Sequence, residues 1–476
     1  MNKAVEYMAS ILRRTLVLWV TMLISFHNLV QAQSDSDSAY SMPLTQVLKD
    51  IQQRYDVSIR YDAKLVEGKI LKFAKWRYRP DVNSTLTNVL SPFDLKVKAD
   101  GNKKYKISEY EYYRWMPEDG WKELDRIASQ YSNLPEWEER KKILKPQLLA
   151  ALRLSKLPAY PISKPILTAV RKYDGYNVQN IAIEILPGVW VNGSLYKPSK
   201  YKGKIPVILN PDGHWPQQRY RADCQYRCAA LAKMGAITFS YDLFAWGESL
   251  LQFKLEDHRK SLSQTMQTLG GIRILDYLLS LPDADTKRVG ITGGSGGGSH
   301  TVLMAALDNR IKVSAPVVSL SSYFYGGCPC ESGMPIHLCA GGTDNVEIAA
   351  MAAPNPQLVV SDGGDWTDKM PEHDFPYLQK MYSWYGKAAD VQNVHLPLEK
   401  HDFGINKRTA VYRFMAHYLQ LNLKAILDKN GNIDESFITV EPENKMYVFG
   451  DKGEHLPKGA VIGFDNLVKV FEAAIK

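Results

Sequence analysis

The chain has 476 residues, 45% of them hydrophobic, and a formal net charge of +8 from 59 Lys and Arg against 51 Asp and Glu. That length exceeds one ordinary small domain, and the composition is that of a folded globular protein, not a disordered or fibrous one. The basic excess is scattered, without the dense Lys/Arg clusters of a nucleic-acid binder, so no nucleic-acid partner is expected, although an anionic substrate is compatible with it.

Residues 1–32 read as a signal peptide. Lys3, Arg13 and Arg14 precede the apolar run Leu16–Phe26, and Val30-Gln-Ala32 supplies small residues for a signal peptidase. The run is short for a bilayer, and no later stretch of about 20 apolar residues follows, so no membrane span is expected after cleavage. The mature chain, with a net charge of +6 once the three basic residues and one acid of this segment are removed, is expected in the periplasm or outside the cell. Its five cysteines (Cys224, Cys228, Cys328, Cys330 and Cys339) permit disulfides but leave at least one unpaired. Cys328-Pro-Cys330 together with Cys339 offers a loop closure; the spacing matches no recognised zinc pattern, and no metal site is assigned.

Residues 33–108 form a small α+β unit. Leu44–Tyr55 carries apolar residues at helical spacing, Val57–Tyr61 alternates as a strand, and Ile70–Phe73 is a second extended run. Val82–Leu90 reads as a helix, and Leu95–Ala99 with Tyr105–Ile107 as a hairpin around Asp100-Gly-Asn. The stretches "LTQVLKDIQQRYDVSIRYD" and "STLTNVLSPFDLKVKADGNKKYKI" resemble the secretin and TonB short N-terminal domain. That resemblance implies a module that contacts other proteins or acts in signalling; here a spacer role and docking to an envelope protein both fit, and no catalytic residue is expected in it.

Residues 109–175 are rich in Trp, Glu, Lys and Leu and predict two helices, around Trp121–Tyr131 and Trp137–Leu154, as a connector with little Gly or Ser. From Tyr176 the pattern turns α/β. Val178–Ile185 and Val189–Tyr196 read as antiparallel entry strands. Ile205–Asn210, Ala236–Tyr241, Val289–Thr292, Val313–Leu320, Gln357–Ser361 and Val394–Pro397 read as further strands. Cys224–Met234 and Ser261–Leu281 read as helices between them. This alternation predicts a mostly parallel sheet covered by helices on both faces over residues 176–426. Residues 427–476 form a C-terminal extension with a strand candidate at Lys445–Phe449 and an amphipathic run at Phe464–Ile475.

The chemistry centres on Gly293-Gly294-Ser295-Gly296-Gly297, between the strand ending at Thr292 and a helical run from Thr301. A G-x-S-x-G pentapeptide in strand–turn–helix context is a nucleophile elbow, which lifts a serine hydroxyl above the sheet edge. No Lys follows the glycines, so a phosphate loop is a poor reading. A serine needs a base to take its proton and an acid to orient that base, and in α/β-hydrolases they follow in the order acid, then histidine. Asp362 and Asp365 both follow the strand Gln357–Ser361; Asp365 is favoured, and Asp362 suits a turn residue bonding its own backbone. His401, in the loop after the last core strand, is the expected base. His395 lies inside that strand and His300 on the nucleophile helix, and both read as structural, while His258, His337, His373, His417 and His455 lack the context. The Gly296 amide, with the His214 amide from the loop Asn210-Pro-Asp-Gly-His-Trp215, would hold the oxyanion.

With these residues assembled, the motifs "NPDGHW", "FSYDLFAWGES", "GITGGSGGGSH", "CPCESGMPIH", "VVSDGGDWTD" and "KHDFGINKR" resemble carbohydrate esterases of the α/β-hydrolase fold, nearest to acetyl xylan esterase-like proteins and related bacterial pectin methylesterases. The resemblance implies serine-dependent hydrolysis of small esters on plant polysaccharide by Ser295, Asp365 and His401, without a cofactor. Glucuronoyl esterases carry an arginine immediately after the serine, where this chain has Gly296. Substrate contacts are expected from the insertion 321–345, with Tyr323, Tyr325, Glu331 and His337, and from Trp215, Arg219, Arg221 and Trp366. A basic group there would favour a uronate polymer, hence pectin-type methyl esters. Two other readings remain: a serine peptidase of the prolyl-oligopeptidase type, which would need a propeller that residues 33–175 are too few to build, and a non-catalytic envelope protein.

Overall fold

The computed structural model describes residues 40–93, 95–109, 115–161, 163–324, 328, 331 and 334–476. The expected signal peptide, 1–32, and Tyr325 and Cys330 lie outside them. The chain divides into two compact units, Met1–Tyr112 and Tyr113–Lys476.

In the first unit, helix α1 (Leu44–Tyr55) buries Leu44, Val47, Leu48 and Ile51, the 3–4 spacing that places them on one face. Helix α2 (Val82–Leu90) buries Leu86, Val89 and Leu90 in the same core. The short strands β1 (Met42–Pro43) and β3 (Ile70–Leu71) pair with each other. A separate three-stranded sheet has the order β2 (Ser58–Arg60), β5 (Lys104–Glu109), β4 (Leu95–Ala99), with β4 and β5 the expected hairpin.

The second unit is an α/β-hydrolase fold. Its ten-stranded sheet runs β15 (Val391–Leu396), β14 (Gln357–Asp362), β13 (Val313–Val317), β12 (Ala284–Gly294), β10 (Ile205–Pro211), β11 (Ile237–Tyr241), β9 (Val189–Pro198), β8 (Tyr176–Leu186) and β6 (Ile166–Leu167), with β7 (Arg171–Lys172) also on β8. The strands from β15 to β11 are parallel, and β9, β8, β6 and β7 add antiparallel pairings. Every residue of β10, β11, β13 and β14 is buried. Near-continuous burial is what a parallel sheet sandwiched between helix layers requires.

Helices α3 (Pro117–Ala128) and α4 (Leu134–Ala151) occupy the segment read as a connector. Leu124, Ile127, Trp137, Leu144 and Leu148 enter the main core. A buried Arg140–Glu347 pair, 2.8 Å from Nε to Oε1, ties α4 to α8 (Asn345–Ala350). Downstream of α3 and α4 come α5 (Ala222–Lys233), α6 (Ser263–Ser280), α7 (Gly296–Leu307), then α8, α9 (Asp374–Trp384), α10 (Ile405–Leu419) and α11 (Phe464–Ile475).

The extension does not form the strand expected at Lys445–Phe449. Its polar backbone is satisfied by side chains instead: the Val448 and Phe449 N–H groups donate to Glu248 Oε1 at 2.7 and 2.8 Å. With ladder partners replaced by a buried carboxylate, the segment has no need of a neighbouring strand.

Candidate active site

The elbow sits at the middle of the sheet. Strand β12, between β10 and β13, ends at Gly294, and α7 starts at Gly296. Between them Ser295 takes φ 54° and ψ −126°, a conformation that costs a non-glycine residue about 1–3 kcal/mol and is tolerated where the surroundings over-determine it. The Ser295 N–H continues the ladder, donating to Val317 O at 2.9 Å. Close approach explains the glycines: a Cβ on Gly293 would lie 2.5 Å from Gly297 O, and one on Gly297 2.4 Å from Pro211 O.

Ser295 Oγ lies 2.9 Å from His401 Nε2, and His401 Nδ1 lies 2.6 Å from Asp365 Oδ2. The carboxylate only accepts, so Nδ1 carries the proton, Nε2 is the acceptor, and the serine hydroxyl donates to it. Asp365 is held in turn by the Thr367 N–H and hydroxyl, both 2.6 Å from Oδ1. The rings of Trp366 and Trp215 flank His401 at 4.5 and 5.3 Å between centroids. The acid arrives on the loop after β14 and the histidine on the loop after β15, so neighbouring parallel strands deliver both to one edge of the sheet. Such a relay can deprotonate the serine hydroxyl as it attacks a carbonyl carbon.

The rival acid has another task. Asp362 Oδ1 accepts the Gly364 N–H at 3.0 Å, the turn role expected of it, while Oδ2 lies 2.9 Å from Lys407 Nζ. Lys407 also sits 2.9 Å from Asp402 Oδ1 and donates to Lys400 O at 2.6 Å. One buried ammonium therefore joins the acid loop to the histidine loop. Sequence reasoning missed it, although it stands in the motif "KHDFGINKR" six residues after His401.

His395 accepts no part in the relay: its Nδ1 is 2.9 Å from Ser361 Oγ across the β14/β15 pair. His300 is buried edge-on to Tyr241, and burial depresses its pKa to about 4.

The loop carrying His214 runs against the elbow, where a Cβ on Gly213 would fall 2.9 Å from Ser295 Cβ. Arg221 clamps this loop with Nη1 3.0 Å from Asp212 Oδ2 and Nη2 3.2 Å from Oδ1. The Gly296 N–H belongs to the first turn of α7, whose donors lack intrahelical acceptors. The His214 ring fills the space beside it: a Cβ on Gly296 would stand 2.4 Å from His214 Cε1. A side chain at 296 would require the His214 ring to shift.

A cavity of about 480 Å³ opens beside Ser295, lined by His214, Trp246, Leu255, His258, Arg259, Phe324, Cys328, Glu331 and Trp366. Of the expected substrate contacts, Glu331 and Trp366 line it, whereas Trp215 is not among the lining residues and packs its ring against His401 instead. Arg219 does not line it either, which corrects the expectation for both. It is fully buried, with Nε 2.8 Å from Asp242 Oδ1, Nη2 3.3 Å from Glu248 Oε2, and hydrogen bonds to Ser194 Oγ and Met446 O. Two buried carboxylates consume its charge, so it braces the extension against the sheet. Arg221 is engaged likewise by Asp212 and Asp223. Tyr323 donates to Asp368 and His337 pairs with Asn345, away from the cavity. The exposed guanidinium at the cavity is that of Arg259, on the turn Leu255–Arg259. No local motif marks Arg259 or His258; only folding brings that turn to the elbow. Cys339 is a buried thiol outside any disulfide and so does not close the loop, whereas Cys328 is disulfide-bonded.

A family model described as acetyl xylan esterase (AXE1) matches residues 253–325. The acetyl esterase Axe7A of Xylanibacter ruminicola is 31% identical over 139 residues, covering 25% of this chain and 30% of that protein, so the match spans less than a third of that relative. The solved structure of methylesterase BT1017 is 49% identical, covers 92% of this chain and 98% of that chain, and superposes with a TM-score of 0.77.

Proposed function

The chain belongs to the acetyl xylan esterase-like carboxylesterases, a family of carboxylic ester hydrolases, and from that premise we propose that it is an exported serine esterase acting on small esters of plant polysaccharide, foremost methyl esters of uronic acids in pectin. The observation that carries this reading is the relay of Ser295 to His401 at 2.9 Å and His401 to Asp365 at 2.6 Å. His401 takes the Ser295 proton as Oγ attacks the ester carbonyl. The Gly296 and His214 amides hold the oxyanion, a contribution of several kcal/mol in sites of this kind, of order 3–4 for one donor. The alcohol then leaves with the proton from His401, and water, activated by the same imidazole, releases the acid and restores Ser295.

Methyl esters are favoured over O-acetyl groups on two grounds. Arg259 presents a cation to the cavity, suited to a free carboxylate on a neighbouring uronate. The name of the 49% identical relative is that of a methylesterase. The Phe324 and Trp366 rings, 4.2 Å apart between centroids, offer apolar faces for a sugar. The first unit carries an aromatic group of exposed Tyr40 and Trp76, the latter 70% exposed, around half-buried Phe73, which supports docking to an envelope protein.

The test is product release: methanol from methyl-esterified pectin against acetate from acetylated xylan. Methanol release abolished by Ser295→Ala is expected. Acetate release alone would overturn the methyl ester assignment, and turnover retained by folded Ser295→Ala would overturn the mechanism.

A further inference from the structure

Beside the elbow, His214, His258 and Cys328 converge from three separate segments: the loop after β10, the turn Leu255–Arg259 and the insertion 321–345. The two Nε2 atoms are 2.7 Å apart, and Cys328 Sγ lies 3.5 Å from His258 Nε2 and 3.8 Å from His214 Nε2. All three ligand atoms fall within 4.8 Å of one another.

The opposite edges of the two rings explain what this convergence is for. His258 Nδ1 is 2.5 Å from the Phe244 carbonyl, and His214 Nδ1 is 3.5 Å from Glu331 Oε1. A carbonyl only accepts, so His258 Nδ1 carries the proton and its Nε2 turns a lone pair towards the His214 ring. A proton on His214 Nε2 makes this contact a hydrogen bond to His258 Nε2, and a divalent cation bound between the rings would take that proton's place. Imidazoles whose second nitrogen donates to a carbonyl or carboxylate are the standing arrangement of metal ligands. Tetrahedral zinc, with bonds of about 2.3 Å to sulfur and 2.0–2.1 Å to nitrogen, sets sulfur and nitrogen about 3.6 Å apart. The two Cys328 separations bracket that value. The nitrogens would open by roughly 0.6 Å to reach the corresponding nitrogen–nitrogen spacing.

We propose that His214, His258 and Cys328 form a binding site for a zinc-class divalent cation, completed when the Cys328 disulfide is reduced. The disulfide is present here, and the thiolate, not the disulfide sulfur, is the strong ligand. A dithiol reductant opens the bond: each sulfur of the disulfide gains one electron and one proton, and the reductant closes to its own disulfide. The Cys328 thiol gives its proton to solvent as the sulfur binds the cation. The oxidised chain offers two imidazoles, and the reduced chain three ligands with a fourth position facing the cavity. Bound there, the cation ties the His214 loop to the insertion beside Ser295. This inference is independent of which ester is cleaved.

Cobalt(II) is the probe. The full-length chain, reduced with a dithiol and freed of it anaerobically, should bind one equivalent with thiolate-to-cobalt charge-transfer absorption that zinc abolishes. Binding should be at least tenfold weaker in the oxidised chain and in His258→Ala, and Cys328→Ser should lose the charge-transfer band. The comparison of reduced with oxidised wild type needs no substitution, so misfolding of a variant cannot obscure it. Absence of stoichiometric binding by the reduced chain, binding without the band, or a band undiminished in Cys328→Ser would overturn the site and leave a proton shared between the two imidazoles as its occupant.

Discussion

Lys407 Nζ lies 2.9 Å from Asp362 Oδ2, with both side chains wholly excluded from solvent. Burial raises the Asp362 pKa, and the ammonium beside it pulls the other way. The same ammonium reaches Asp402 and Lys400 O, so the loop bearing Asp365 and the loop bearing His401 are held by one charge. Lys407 thus ties together the two loops that carry Asp365 and His401.

Lys407→Met should destabilise the fold by about 3–5 kcal/mol, because one member of a buried pair is left behind. It should also lower kcat more than it raises KM. Adding Asp362→Asn should recover part of the stability, as chemical denaturation of the four members of the cycle would reveal. Additive losses would show that the two groups do not interact.

The two aspartates separate cleanly by kinetics. Asp365→Asn should lower kcat by about 10⁴, the loss seen when a triad histidine is held in the wrong tautomer. Asp362→Asn should change stability with a far smaller effect on kcat. The reverse ranking would move the acid to Asp362.

Gly296→Ala tests the oxyanion arrangement. Its methyl would meet His214 Cε1 at 2.4 Å and push the loop that carries the second amide. A fall in kcat on the order of 10²–10³, with the melting temperature little changed, is expected if a donor is lost. Unchanged kcat would place the second donor elsewhere.

The two arginines should behave oppositely. Arg219→Met leaves Asp242 and Glu248 buried without their partner and should cost about 3–5 kcal/mol of stability. Arg259→Gln should leave the melting temperature unchanged and raise KM for partly de-esterified pectin, with little effect on a small neutral ester. Equal KM changes on both substrates would remove Arg259 from carboxylate recognition.

Asp374 gives a pH signature. Burial pushes its pKa up to about 6 against the bonds donated by the Ser322 N–H and hydroxyl. The folded value exceeds the unfolded one, so its stabilising contribution is complete below the unfolded pKa near 4 and is lost as the pH rises towards 6. The stability of the wild type relative to Asp374→Asn should therefore fall by up to about 3 kcal/mol between pH 4 and 6. A difference that stays level across this window would show that the carboxyl is not shifted.

The elbow, the acid after β14 and the histidine after β15 were legible because each rests on a local rule: a glycine bend between strand and helix, and loops at the ends of apolar runs. Strand–helix alternation likewise carried the parallel sheet, and helical spacing carried α1, α2 and α11. Choosing Asp365 over Asp362 was legible as an offset, but its reason, Lys407, required two loops to meet. Arg219 read as a substrate contact because it stands beside the oxyanion loop; the carboxylates that bury it come from residues 242 and 248, and no periodicity announces such a pairing. The Lys445–Phe449 run read as a strand because its pattern is apolar, and a carboxylate from a distant turn claimed its amides instead. Chain-local geometry decides elements and the order of chemical groups, whereas the partners of buried charges, and the meeting of His214, His258 and Cys328, are decided only by which segments the closed fold brings within a few ångströms.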